Sequence, residues 1–128
     1  MTQQQLIFTE EGPIQQQIRL EVGNGAVRLF RNNVGKFEDK KTGRWVEFGL
    51  MVGSADLIGW KRVIITPEMV GMPMAQFLSI EVKKLKGGRK ADEQKTWARN
   101  VLAAGGLAGF ARSPAEAVAI LEGRGITE

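Results

Sequence analysis

From residue 77 onward the chain alternates between two hydrophobic periods, and that succession constrains the fold more than any other feature. Phe77 to Lys83 reads as the strongest strand, with Phe77, Leu78, Ile80 and Val82 supplying its apolar character. After Gly87-Gly88 the period lengthens. A helix is predicted from about Ala91 to Ala104, where Gln94, Trp97, Ala98 and Val101 share a face by three-, four- and seven-residue spacing. Leu107 to Ala111 returns to a strand. Ser113-Pro114-Ala115-Glu116 then opens a last helix to about Glu122, with serine at the N-cap, proline at the first helical position and glutamate three residues after the cap.

The preceding half is read the same way. Gly12-Pro13 opens a helix in which Ile14, Ile18 and Val22 recur at four-residue spacing as one buried stripe, ended by Gly23-Asn24-Gly25. Residues 26–32 read as a strand, and the charged segment Lys36 to Arg44 as a connection with a turn at Lys40-Lys41-Thr42-Gly43. Trp45 to Val52 reads as a second strand, and Asp56 to Trp60 as a third that continues to Ile65. Thr66-Pro67-Glu68 has the form of a short helix start. The order predicts an α/β domain over residues 11–128, with a mixed central sheet and helices packed against it, behind a polar, flexible lead-in at residues 1–10.

Composition narrows the chemistry by subtraction. The 128 residues include no histidine, no cysteine and no tyrosine. Zinc sites built on Cys or His are excluded, as are Ser-His-Asp and Cys-His triads and a phosphotyrosyl intermediate. A bound metal would be held by oxygen, which favours magnesium, manganese or calcium. The net charge of +4, from 18 basic against 14 acidic residues, leans toward a polyanionic partner. No apolar run approaches the length of a membrane span, and Met1-Thr2-Gln3-Gln4-Gln5 lacks the regions of a signal peptide. A cytoplasmic location is the resulting expectation.

Three segments bear on chemistry. In Glu81-Val82-Lys83, the strand period puts Glu81 and Lys83 on one face and points Val82 to the core. A carboxylate there can ligate a cation while the ammonium orients an attacking water. The plain alternative is a solvated Glu/Lys face, but the apolar setting marks a central strand, where charge without a partner is costly. In Gly53-Ser54-Ala55-Asp56, Asp56 is either a turn aspartate bonding its own backbone or a second carboxylate beside Glu81. Two such carboxylates repel unless a divalent cation relieves them. Gln94 is either a surface residue of the first helical turn or a brace for Lys83 and the water. Arg28, Arg31, Asn32 and Asn33 end the first strand, or they contact phosphate.

Taken in order, Glu11-Gly12-Pro13-Ile14-Gln15, Arg31-Asn32-Asn33-Val34-Gly35, Gly53-Ser54-Ala55-Asp56-Leu57-Ile58, Ile80-Glu81-Val82-Lys83, and Gln94 with Trp97 resemble the VRR-NUC family. These are the virus-type replication-repair nucleases of the PD-(D/E)XK superfamily, with a restriction-endonuclease-like fold. The resemblance covers roughly residues 11–121 and is to the compact stand-alone type of phages and bacteria. It implies Asp56 and Glu81 as metal ligands, with the Val82 carbonyl as a third, Lys83 as the catalytic lysine, Gln94 as the family glutamine and Glu11 as the acid of the first helix. Glu10 and Glu21 are alternatives for that last role. The small N-cap residue usual before the glutamine helix is replaced by Lys90-Ala91-Asp92.

The resemblance further implies magnesium- or manganese-dependent cleavage of structured DNA, such as Holliday junctions, by a homodimer. A DNA-binding or assembly module without turnover, on the same fold, is the competing expectation. The residues leave an RNA-directed nuclease open as a third.

Overall fold

The computed structural model describes residues 10–127, so the predicted lead-in lies outside the described residues except for Glu10. The chain divides into two compact units, one ending at Lys61 and one beginning at Arg62.

In the first unit, helix α1 (Glu11–Val22) precedes strand β1 (Val27–Arg31), the hairpin strands β2 (Gly35–Glu38) and β3 (Trp45–Phe48), and strand β4 (Leu57–Lys61). β1 pairs antiparallel with β4, from Val27 opposite Lys61 to Arg31 opposite Leu57. The two backbones approach so closely at Gly59 that a Cβ there would stand 1.7 Å from the Arg28 carbonyl oxygen. Phe30 and Trp60 pack beside it with their rings tilted at 51° and 5.4 Å between centroids. β2 and β3 pair antiparallel, from Gly35 opposite Phe48 to Glu38 opposite Trp45. Their turn is closed by Asp39, which exchanges backbone bonds with Gly43 and Arg44 while its side chain accepts from the Lys41 N–H at 2.9 Å. Gly43 supplies the positive φ of 70° that the turn needs.

Two expectations change here. The stripe Ile14, Ile18, Val22 is not buried: α1 has no buried residue, and Ile18 and Val22 are exposed. Lys36 to Arg44 is not all connection, because its first residues form β2. Their alternation with charge had hidden a strand that is solvated along most of its length.

The second unit holds a single-turn 3-10 segment (Pro67–Met69), strand β5 (Leu78–Val82), helix α2 (Asp92–Ala103), strand β6 (Leu107–Ala111) and helix α3 (Pro114–Leu121). β5 and β6 run parallel, from Leu78 beside Leu107 to Val82 beside Ala111. Parallel neighbours need a crossover, and α2 is that crossover. It ends in a Schellman motif: Gly106 N–H reaches Val101 O at 2.9 Å and Gly105 N–H reaches Leu102 O at 3.0 Å, with Gly105 at φ 97°. The chain thereby reverses into β6. Ser113 caps α3 as its sequence predicts, accepting from the Glu116 N–H at 3.2 Å.

The helices cover opposite faces of the β5–β6 pair. α2 bonds to Ser79 and Glu81, whereas Ile120 of α3 lies against Gly109, where a Cβ would come within 2.9 Å of it. Ala98, Val101, Ala108, Phe110, Ala111 and Ile120 form the core. Burying a side chain as completely as Val101 and Ile120 are buried contributes about 1.5–3 kcal/mol each.

The predicted mixed central sheet is corrected: among the described residues the strands pair as three separate two-stranded sheets. Within the described residues β5 is bonded along one edge, to β6, and β4 stops at Lys61 rather than running on to Ile65. What stands, among the described residues, is a mixed α/β arrangement of small sheets and three helices. No helix among the described residues is long and apolar enough to cross a membrane.

Candidate active site

The orientation of β5 decides the site. Ser79, Glu81 and Lys83 point toward α2, while Leu78, Ile80 and Val82 point away and are exposed. The expectation that Val82 points into the core is therefore reversed, and Val82 is 75% exposed. The physical reason is polar satisfaction. Trp97 Nε1 donates to Ser79 Oγ at 2.7 Å and Gln94 Nε2 donates to Glu81 Oε1 at 2.7 Å, so α2 covers the polar face of the strand by bonding to it.

Gln94 is the centre of this arrangement. Its Oε1 accepts from Lys83 Nζ at 2.8 Å and from the Ala91 N–H at 3.2 Å. Lysine and a backbone N–H can only donate and a carboxylate can only accept, so one orientation of the amide satisfies all three partners. The bond to Ala91 also explains the N-terminus of α2. Alanine has no side-chain acceptor, and Gln94 reaching back to the N-cap N–H provides the half of a capping box that remains.

Lys83 is held on several sides. Nζ donates to Arg89 O at 2.7 Å as well as to Gln94, lies 3.6 Å from Glu81 Oε1, and sits 5.8 Å from the centre of the Phe110 ring. Its side chain is 11% exposed against 44% for Glu81, so the ammonium is shielded while the carboxylate reaches solvent. Glu81 opens onto a cleft of about 300 Å³ that Glu93, Gln94, Trp97 and Phe110 also line. Oε2 of Glu81 has no hydrogen bond within the described residues, and neither does the carboxylate of Glu93.

This donor set suits a small hard cation. Magnesium is held through one or two carboxylates while it keeps several waters and takes substrate phosphate oxygens. Glu81 and Glu93 on one open cleft provide that number. Among the described residues no group of three or more acidic side chains gathers.

The remaining predicted site residues belong to the first unit. Asp56 lies at the bend just before β4, exposed, and its carboxylate has no partner among the described residues. It is thus not a turn aspartate bonded to its own backbone. The turn is held by Asn32 instead. Buried at 8% exposure, Asn32 donates from Nδ2 to Ser54 Oγ at 2.7 Å and to Ala55 O at 2.8 Å, and accepts from the Leu50 N–H at 3.0 Å. Its own N–H donates to Asp56 O at 2.8 Å. Asn32 therefore leaves the set of phosphate contacts, since both amide hydrogens are spent inside the fold. Arg31 and Asn33 stay exposed, 3.4 Å apart through Nη2 and Oδ1. Arg28 is turned back onto the Gly25 and Val27 carbonyls. Glu11 is exposed in the first turn of α1.

Sequence reasoning missed Glu93, Ser79 and Arg112. Glu93 precedes Trp97 by four residues, which puts both on the cleft side of α2, and Ser79 precedes Glu81 by the strand period. No local signal marks Arg112, whose guanidinium donates to the Lys84 and Gly87 carbonyls.

Comparison with protein-family models, with curated proteins and with solved structures finds no match to this chain.

Proposed function

We propose that this protein is a divalent-metal-dependent DNA endonuclease of the PD-(D/E)XK type, acting on branched or structured DNA such as Holliday junctions. The observation that carries the reading is the Gln94-bridged pair of Glu81 and Lys83, with Glu81 lining a solvent-accessible cleft and its Oε2 unbonded among the described residues. A structural salt bridge needs neither the bridging amide nor the cleft.

Magnesium or manganese, when bound, supplies positive charge for a phosphate oxygen and acidifies water. Glu81 would offer Oε2 to it, with Glu93 lining the same cleft, and the resemblance implies Asp56 and the Val82 carbonyl as further ligands. Gln94 fixes Glu81 and Lys83 together, so neither has to find its place when substrate arrives. Lys83, shielded and positively charged, orients the attacking water and offsets the charge that grows on the phosphate. Arg31 and Asn33 contact backbone phosphates, and Glu11 is the acid of the first helix. A homodimer would present two such sites to a two-fold junction.

The test is a panel of junction, flap, duplex and single-stranded DNA, with and without magnesium or manganese. Branched DNA is cut with metal, and Asp56→Ala or Glu81→Ala stops it. Undiminished cutting by both variants ends the reading. The second reading, a DNA-binding module without turnover, is favoured by the basic connection after β5, which serves binding whether or not a bond is cut. Binding without cleavage at any divalent ion selects it.

A further inference from the structure

The connection from β5 to α2 contains Lys83, Lys84, Lys86, Arg89 and Lys90 and no acidic residue. A basic run on a surface is usually no more than a solvated loop. This one has its shape fixed from inside the fold. Arg112, half-buried at the end of β6, donates through Nη1 to the carbonyls of both Lys84 and Gly87. Lys83 donates to the carbonyl of Arg89 at 2.7 Å. Gly87 and Gly88, at φ 74° and 83°, make the turn between these anchors. Two cationic side chains thus hold three loop carbonyls. The side chains of Lys84, Lys86 and Arg89 are exposed and have no hydrogen-bond or ion-pair partner among the described residues.

The loop also has a fixed relation to the cleft. Arg89 is bonded through its carbonyl to the same ammonium that lies 3.6 Å from Glu81. We infer that the loop is a phosphate-tracking rim. Lys84, Lys86 and Arg89 contact the nucleic-acid backbone beside the Glu81 cleft, and Arg112 is the residue that positions them. The inference rests on a nucleic-acid substrate at this site. Such contacts set register and affinity without reading sequence.

The test is metal-free binding of a short fluorescent DNA duplex over a range of salt, so that it does not depend on cleavage. Each phosphate contact contributes about 0.9 to the slope of log affinity against log salt. Removing Lys84, Lys86 and Arg89 together (to Ala) lowers that slope by about 2.7. A matched variant lacking Lys40, Lys41 and Arg44, on the hairpin turn of the first unit, leaves it within about one contact. Circular dichroism verifies that both triple variants are folded. An unchanged slope in the first variant, equal losses in the two, or no binding by the parent protein overturns the inference. The expected slopes with no cleavage under any divalent ion sink the nuclease reading and leave the rim standing. Cleavage by the parent protein with an unchanged slope in the variant sinks the rim alone.

Discussion

Gln94 and Glu81, thirteen residues apart in sequence, are joined by a 2.7 Å hydrogen bond from the amide nitrogen to one carboxylate oxygen, which leaves the other oxygen unbonded among the described residues in a side chain that lines the cleft. One side chain thereby decides which lone pairs of Glu81 remain available. Replacing Gln94 with Ala frees the carboxylate to rotate and unties Lys83. On the proposed nuclease reading, a loss of about 10- to 100-fold in metal affinity or activity is expected, as for residues that orient a metal ligand. Cleavage rate titrated against manganese measures it. Gln94→Glu is expected to do worse, because it sets a second carboxylate against Glu81. A Gln94→Ala protein with unchanged manganese dependence would remove the amide from the mechanism.

Asn32 secures the segment that carries Asp56. Asn32→Ala strands the Leu50 N–H and takes the donors from Ser54 and Ala55. Leaving buried groups unsatisfied costs about 1–3 kcal/mol. Urea unfolding is expected to show a loss in this range. Asn32→Asp keeps an acceptor for Leu50 but turns an anionic oxygen toward the Ala55 carbonyl, and is expected to be no better tolerated.

Gly59 tests the pairing of β1 with β4. A methyl group there meets the Arg28 carbonyl, and backbone cannot move aside as a flexible side chain can. Gly59→Ala is expected to destabilise at the upper end of the about 1–3 kcal/mol typical of overpacking. Gly12, with nothing within 4 Å of an added Cβ and a place on α1, is the control. Gly12→Ala is expected to stabilise by about 0.5–1 kcal/mol. Thermal unfolding of the pair separates steric conflict from general sensitivity to glycine replacement.

Arg112→Gln removes the fork that holds the Lys84 and Gly87 carbonyls. Amide hydrogens between residues 84 and 89 are expected to exchange faster, while those of Val101 and Ile120 in the core stay protected. Mass-spectrometric hydrogen exchange reads both in one experiment. Equal acceleration in loop and core would show that Arg112 supports the fold at large.

Much of the local structure was legible because it depends on local periodicity. The succession β5, α2, β6, α3 follows from the change of hydrophobic period and from Ser113-Pro114, and the face shared by Gln94, Trp97, Ala98 and Val101 is the face α2 presents to the β5–β6 pair. The limit of that reasoning appears at Val82. Alternation says that Leu78, Ile80 and Val82 share one side of β5 and Ser79 and Glu81 the other; it does not say which side a helix will cover. Trp97 and Gln94 decided that by supplying donors to the polar side. The partners of Asn32 lie at Leu50, Ser54 and Ala55, and those of Arg112 at Lys84 and Gly87. Neither a clamp nor a strut between residues so far apart leaves a mark on its own neighbourhood in the sequence. β2 escaped for the opposite reason, since a strand with little to bury carries no contrast between its faces.

Arg112 stands between the end of β6 and the Ser113 cap, and its own N–H is taken by Glu116 in the first turn of α3 at 2.7 Å. The C-terminal helix is therefore the foundation on which a surface loop near Glu81 is mounted. The same end also steadies the cleft, because Ile126, beyond that helix, accepts the backbone N–H of Phe110 at 2.7 Å, so loop and cleft wall share one anchorage.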